Sequence, residues 1–350
     1  MRIIRVRNVH QALPEALYQL KKEGVRRDSR NGPVRVFPEP VTTVYSHPAE
    51  RVVFWAERDA NPFFHLMESL WMLGGRNDVE YVANFVERMR NYSDDGQTLH
   101  GAYGFRWRHH FQMDQLALII EGLKTNPNDR RQVLSMWDTS ADLGRQGKDV
   151  PCNLQAVFQI ACDGRLDMVV TNRSNDLIWG AYGANAVHFS YLHEYVARSV
   201  GVDQGTYYQV SANFHAYEDV LSKVISLADF AADPLTGRTV PDPYVTGEVK
   251  PFPLVTIPTK DWNNELMMFL TDPDAEGFRD PFFCRVAIPM LRAHRAFKRT
   301  DSGRFDAALG ELANVAAQDW RKAGIEWINR RKAAFEIRKA RAMDDGVVYD

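Results

Sequence analysis

The 350-residue sequence is poor in cysteine, lacks long apolar runs and carries almost no net charge, and each shortage removes a class of protein. Cys152, Cys162 and Cys284 are too few and too irregularly spaced for a disulfide framework or a zinc site, so no metal is expected. No apolar stretch reaches the roughly 18 residues that would cross a bilayer. Met1-Arg-Ile-Ile-Arg5 also lacks the apolar core of a signal peptide, so a cytoplasmic protein is expected, or one of the host cytoplasm if the source is viral, without a membrane partner. With 43 basic residues against 45 acidic ones, the formal charge of -2 gives no global field for a nucleic acid polymer. An anionic partner must be held by a local cluster, which suits a small molecule. Internal repeats and low-complexity tracts are absent too.

What is present is ordinary globular material, 45% hydrophobic and 25% charged. Leu13, Leu17 and Leu20 recur at helical spacing until Gly24 stops the pattern. The polar loop Arg26-Arg27-Asp28-Ser29-Arg30-Asn31-Gly32-Pro33 then reads either as a solvated connection or as an arm that carries an arginine to a phosphate. Asn61-Pro62 is a helix start, and Phe63 to Leu73 is apolar almost all round, so this helix is expected to be buried. Glu68 shares the line of Phe64 and Trp71; a carboxylate there needs a partner or has a raised pKa, as a proton-handling group requires. Asp78 to Met89 reads as a second helix, Leu116 to Leu123 as another, and Gln132 to Trp137 as a strand with Arg130-Arg131 at its mouth. Paired guanidiniums there suit phosphate oxygens or solvent.

Leu154 to Ala161 and Arg165 to Thr171 are strand-like runs joined at Cys162-Asp163-Gly164, a hairpin turn. A hairpin brings its open ends together, so Cys152 should meet Arg173 and Ser174 there, and a nearby guanidinium favours the nucleophilic thiolate. The glycine-rich Trp179-Gly-Ala-Tyr-Gly-Ala-Asn185 has neither dinucleotide nor triphosphate-loop spacing. It leads into a helix over Val187 to Val200. Tyr207 to Tyr217 reads as one strand with His215 and Tyr217 on one face, either a core pair or a hydroxyl-binding pair. Past residue 225 little chemistry is visible; Phe305 to Met343 reads as two helices, the last with a solvated basic face.

Taken together, the motifs from roughly Gly24 to Tyr217 resemble the thymidylate synthase superfamily, which includes the pyrimidine nucleotide hydroxymethylases. The resemblance implies an α+β fold, a mixed sheet covered by helices, with one sheet face forming a homodimer interface. It implies one domain over 1–350, catalytic motifs within 1–225 and a C-terminal extension over 226–350. Residue by residue, Arg30 matches the phosphate-loop arginine, Glu68 the catalytic glutamate, and Tyr103 in Tyr-Gly-Phe-Arg-Trp the tyrosine implicated in loss of the pyrimidine C5 proton. Arg130 and Arg131 match the pair that reaches the other subunit's phosphate. Cys152 matches the nucleophile, Arg173 and Ser174 phosphate ligands, and Asp176 the carboxylate that contacts folate. His215 and Tyr217 match the His-x-Tyr that holds the sugar hydroxyl, and Asn185 the base-reading asparagine if one extra residue is allowed in the glycine-rich segment. The implied substrates are a pyrimidine nucleoside monophosphate and 5,10-methylenetetrahydrofolate.

Departures from the family pattern bear on the product. Family tryptophans beside the folate align with Met89 and Tyr92, and the histidine after the catalytic cysteine is Asn153. Loss of an aromatic shield and gain of a small polar group favour attack by water, hence a hydroxymethylase acting on dUMP or dCMP, with a methylating synthase, a CMP hydroxymethylase or a silent nucleotide-binding protein as alternatives. Family C-termini close over the site, and Gly346-Val-Val-Tyr-Asp350 occupies that place in the chain.

Overall fold

The computed structural model describes residues 1–344; the Gly346–Asp350 end lies outside the described residues. Among the described residues ten strands form two sheets: β1 (Arg2–Val6), β2 (Val25–Arg27), β3 (Val34–Val36), β4 (Val41–Tyr45), β5 (Val133–Ser135), β6 (Asn153–Ile160), β7 (Leu166–Asn172), β8 (Asn175–Asp176), β9 (Gln204–Ser211) and β10 (Phe214–Tyr217). The larger sheet runs β1-β4-β9-β7-β6-β5 and the smaller β2-β3-β10-β8. Both are mixed, with β1·β4, β7·β9 and β8·β10 parallel and the other pairs antiparallel.

The helices of ten residues or more are α1 (Val9–Glu23), α2 (Pro62–Leu73), α3 (Gln115–Thr125), α4 (Ala186–Val200), α5 (Thr259–Thr271), α6 (Ile288–Phe297), α7 (Arg304–Ala313) and α8 (Gln318–Asp344). This is the expected α+β architecture. The α2 start follows from its sequence: Asn61 Oδ1 accepts from the amides of Phe63 and Phe64, and Pro62 gives up an N–H that had no helical partner. Phe63, Leu66, Met67, Leu70 and Trp71 are buried at about 1.5–3 kcal/mol each, which makes α2 the centre of the core.

Strand burial alternates as the pleat demands. Leu166, Met168, Val170 and Asn172 of β7 face inward, while Val157, Val169, Tyr208 and Val210 line the opposite, half-exposed face of the sheet. That is the face expected to meet a second copy.

Several elements differ from the sequence reading. Tyr207 to Tyr217 is two strands: β9 lies in the large sheet, and β10 in the small one. Asp78 to Met89 is not one helix; Val79–Ala83 is a short helix, Val86 is extended, and Glu87–Tyr92 is a 3₁₀ turn. The break lets Phe85 pack on His294 of α6, with ring centroids 4.6 Å apart, a tertiary contact that outweighs local propensity. The two helices read over Phe305 to Met343 are α7 and α8, and two further long helices, α5 and α6, precede them after residue 225. They pack on the core: His294 and Trp327 reach Phe63 at 5.4 and 5.6 Å.

Candidate active site

The two sheets are stitched together at two neighbouring points. Asn172 pairs with Ser211 at the end of the large sheet, and Asn175 pairs with Phe214 at the start of the small one. Two residues bridge each gap, Arg173-Ser174 in one strand pair and Ala212-Asn213 in the other. The β2–β3 loop arches over this seam. Between them lies a cavity of about 450 Å³ lined by Arg27, Asp28, Ser29, Arg30, Asn31, Val34, Val36, Ser174, Asn213, His215 and Tyr217. Four residues singled out from sequence, Arg30, Ser174, His215 and Tyr217, thus share one concavity. The rings of His215 and Tyr217 are 5.4 Å apart, and Asn213 Oδ1 lies 2.8 Å from His215 Nδ1, which fixes that nitrogen as donor and leaves Nε2 to accept. Sequence reading missed Asn213, a position with no signal without knowledge of the strand crossing; Arg27 lies within the loop read as a possible phosphate arm, where only Arg30 is singled out.

Cys152 stands at the open end of the β6–β7 hairpin, as expected. Its carbonyl accepts from the Arg173 amide at 2.9 Å, and the Arg173 guanidinium donates to the carbonyls of Pro151 (2.7 Å) and Val150 (3.0 Å). A register irregularity between Asn153 and Gln155 re-aims the strand here, as bulges beside reactive groups do. Arg173 and Arg30 favour the thiolate as expected, but burial, reinforced by Asp149, outweighs them and pushes the Cys152 thiol up. Asp149, itself raised by burial and accepting from the Gly101 amide at 2.7 Å, was also missed from sequence.

Tyr103 flanks this end of the hairpin. Tyr103 Oη accepts from the amides of Cys152 (3.1 Å) and Asn153 (3.3 Å), so its phenol is tied to the backbone that carries the thiol. Burial raises the Tyr103 pKa, keeping a proton on it that can be donated. Gly104 makes the fit possible: a Cβ there would fall 2.0 Å from the Met72 carbonyl oxygen of α2. On α2, Glu68 Oε2 lies 3.1 Å from His188 Nε2 of α4, with side-chain exposures of 12% and 5%. Both atoms are nevertheless buried without a hydrogen-bond partner among the described residues, so Glu68 lies beside His188 with a carboxylate oxygen left over. His193 is committed to the Leu166 carbonyl at 2.5 Å, so neither helix histidine activates Cys152.

A line of buried amides runs behind the thiol. Ser211 Oγ accepts from Asn175 Nδ2 (3.1 Å), Asn175 Oδ1 from Asn185 Nδ2 (3.0 Å), Asn185 Oδ1 from Asn153 Nδ2 (3.2 Å), and Asn153 Oδ1 from Asn172 Nδ2. Asn185 comes into this line because the segment Leu177–Asn185 is broken by non-helical backbone at Tyr182 and Gly183, just before α4 begins.

Asp176 caps this turn, accepting from the amides of Ile178 and Trp179, while its Oδ2 is buried without a donor among the described residues. Burial raises its pKa, opposed by the Trp179 amide and by His215 across the β8–β10 pair. Trp179 lies between Arg58 (4.4 Å) and Arg88 (4.7 Å). Arg88 belongs to the 3₁₀ turn of Met89 and Tyr92, so that turn and the Asp176 turn adjoin. Met89 packs partly against the core, and Tyr92 is 46% exposed. Arg130 and Arg131 do not join the cavity of this chain; both are exposed, and Arg131 pairs with Asp129 at 2.9 Å.

Comparison with known proteins places this geometry. The family model for thymidylate synthase matches residues 15–234. The chain is 77% identical over 351 aligned residues, the whole of both chains, to a deoxyuridylate hydroxymethyltransferase of Pseudomonas phage M6. It is 38% identical to one of Bacillus phage SP01, over 51% of this chain and 50% of that protein. A putative thymidylate synthase of Methanosarcina barkeri (strain Fusaro / DSM 804) is 27% identical over 62% of this chain and 90% of its own.

Proposed function

The chain belongs to the thymidylate synthase family, and from that premise we propose that it is a deoxyuridylate 5-hydroxymethyltransferase. The observation that carries this reading is the 77% identity, spanning both chains, to a phage protein of that name.

In this family methylenetetrahydrofolate serves as co-substrate and supplies the one-carbon unit. Asp176, with a buried oxygen left over, suits a pterin N–H, and Met89, Tyr92 and Trp179 border the same turn. Arg30, Arg173 and Ser174 hold the nucleotide phosphate, His215 and Tyr217 the sugar hydroxyl, and Asn185 the base. Cys152 loses its proton, and Sγ adds to C6 of the pyrimidine, moving electron density to C5, which takes the carbon. Glu68, beside His188 and with a carboxylate oxygen unpartnered among the described residues, handles the proton at the base carbonyl. Tyr103, which keeps its own proton, orients the water that removes the C5 proton. As the C5 proton is lost, the bond from the new carbon to the folate nitrogen breaks, the electron pair leaves with tetrahydrofolate, and an exocyclic methylene remains. Water adds to it, the electrons returned to the ring expel the Cys152 thiolate from C6, and the C5–C6 double bond returns. Met89 and Tyr92 in place of tryptophan leave room for that water. A homodimer formed through the Val157, Val169, Tyr208 and Val210 face would bring Arg130 and Arg131 to the partner's phosphate.

Incubation with dUMP, dCMP, CMP or UMP and methylenetetrahydrofolate, followed by mass analysis, tests the assignment. The expected product is 5-hydroxymethyl-dUMP with tetrahydrofolate. A methylated product with dihydrofolate would refute it.

A further inference from the structure

Asn175 takes no part in the mechanism above, yet it is 2% exposed and bonded on both sides. Its neighbours Asn153 and Asn172 are 0% exposed. Buried amides in a chain polarise one another, and each constrains the next. An amide has nearly the same shape when turned over, so which end donates is decided by its partners. Asn185 has its oxygen receiving Asn153 and its nitrogen donating to Asn175, which leaves one lone pair and one N–H.

Those remaining groups are what a base would meet. Uracil offers an N–H donor at N3 beside an oxygen acceptor, whereas cytosine offers an acceptor at N3 beside an amine. An amide that suits one must be turned over to suit the other. Turning Asn185 would set its oxygen against Asn175 Oδ1 and its nitrogen against Asn153 Nδ2, so both neighbours would have to turn as well. Gly180 protects the junction: a Cβ there would lie 2.7 Å from Asn175 Oδ1 and 3.4 Å from Asn185 Nδ2.

We infer that Asn175 is a positioning residue that fixes the polarity of the Asn185 amide through the relay Ser211–Asn175–Asn185–Asn153–Asn172, and thereby sets the choice between uracil and cytosine nucleotides. The inference rests on the proposal that Asn185 reads the base.

The test compares dUMP and dCMP affinities by calorimetry, with kcat/KM for both, in the wild type and in Asn185→Ala, Asn175→Leu, Asn175→Asp and Gly180→Ala. Asn185→Ala and Asn175→Leu are expected to lower the dUMP/dCMP preference by about tenfold, as an unpaired buried amide would. Aspartate can only accept, so Asn175→Asp keeps the Asn185 nitrogen facing it and is expected to keep the wild-type ratio. Gly180→Ala, which crowds the junction without removing a partner, should lower the ratio and reports on the relay even if Asn175→Leu does not fold. Loss of preference in Asn185→Ala with full preference in Asn175→Leu or Gly180→Ala overturns the relay while leaving Asn185 as reader. Full preference in Asn185→Ala removes the reader and the relay together, and a switch toward dCMP in Asn175→Asp refutes the polarity.

Discussion

Cys152 is pulled in two directions by its surroundings. Burial and Asp149 favour the neutral thiol, and Arg173 and Arg30 favour the thiolate. Because only the thiolate is nucleophilic, alkylation of Cys152 in the free protein should rise with pH through a pKa above that of an ordinary thiol. Removing the cation in Arg173→Gln should move that rise to still higher pH, and Asp149→Asn should move it lower. Iodoacetamide rates measured against pH, in a background with Cys162 and Cys284 replaced by Ser, would show this; shifts of the opposite sign would exclude the electrostatic account. Asn153, by contrast, was visible in sequence only as a departure from a family histidine. Its neighbours show why the departure is coherent: its backbone amide donates to Tyr103 and its side chain links Asn172 to Asn185.

At the scale of elements, the kinked segment Leu177–Asn185 does what no single residue could. Its non-helical backbone at Tyr182 and Gly183 breaks the approach to α4 and leaves Asn185 in line with Asn153 and Asn175. Deleting Ala184 should shorten the segment after the kink and carry Asn185 out of line. Nucleotide affinity is then expected to fall by about tenfold or more, while far-ultraviolet circular dichroism remains near wild type. Unchanged affinity in the deletion would mean that the turn has no such role. The hairpin of β6 and β7 was legible because turn residues and alternation are local. The split between β9 and β10 was not, since Ala212-Asn213 carries no breaker and the change of sheet is decided by pairing with β7 and β8.

For the molecule as a whole, the exposed Arg130 and Arg131 and the half-exposed sheet face suit a second copy. If the arginines serve the partner's site, a Cys152→Ala chain mixed and refolded with an Arg131→Ala chain should regain part of the activity that each lacks alone. Each mixed dimer would hold one site with both groups intact. No recovery, despite exchange of subunits shown by native mass spectrometry, would place the arginines outside catalysis. The extension adds a different layer. Through Trp327 and His294 it packs on Phe63 of α2, the helix that carries Glu68, so truncation before α6 should disturb the site without touching it.

By itself, the sequence determined the chemical inventory: a thiol at a hairpin mouth, an acid on a buried helix, cations on a loop, and the family to which their order belongs. These are properties of local patterns and of residue identity, and they survive without coordinates. Only the tertiary structure decided that burial opposes the cations around the thiol, that one expected strand serves two sheets, and that Asn153, Asn172, Asn175 and Asn185 form one directed line. Burial, sheet crossing and amide polarity depend on neighbours brought in by long-range packing, and no window along the chain contains them.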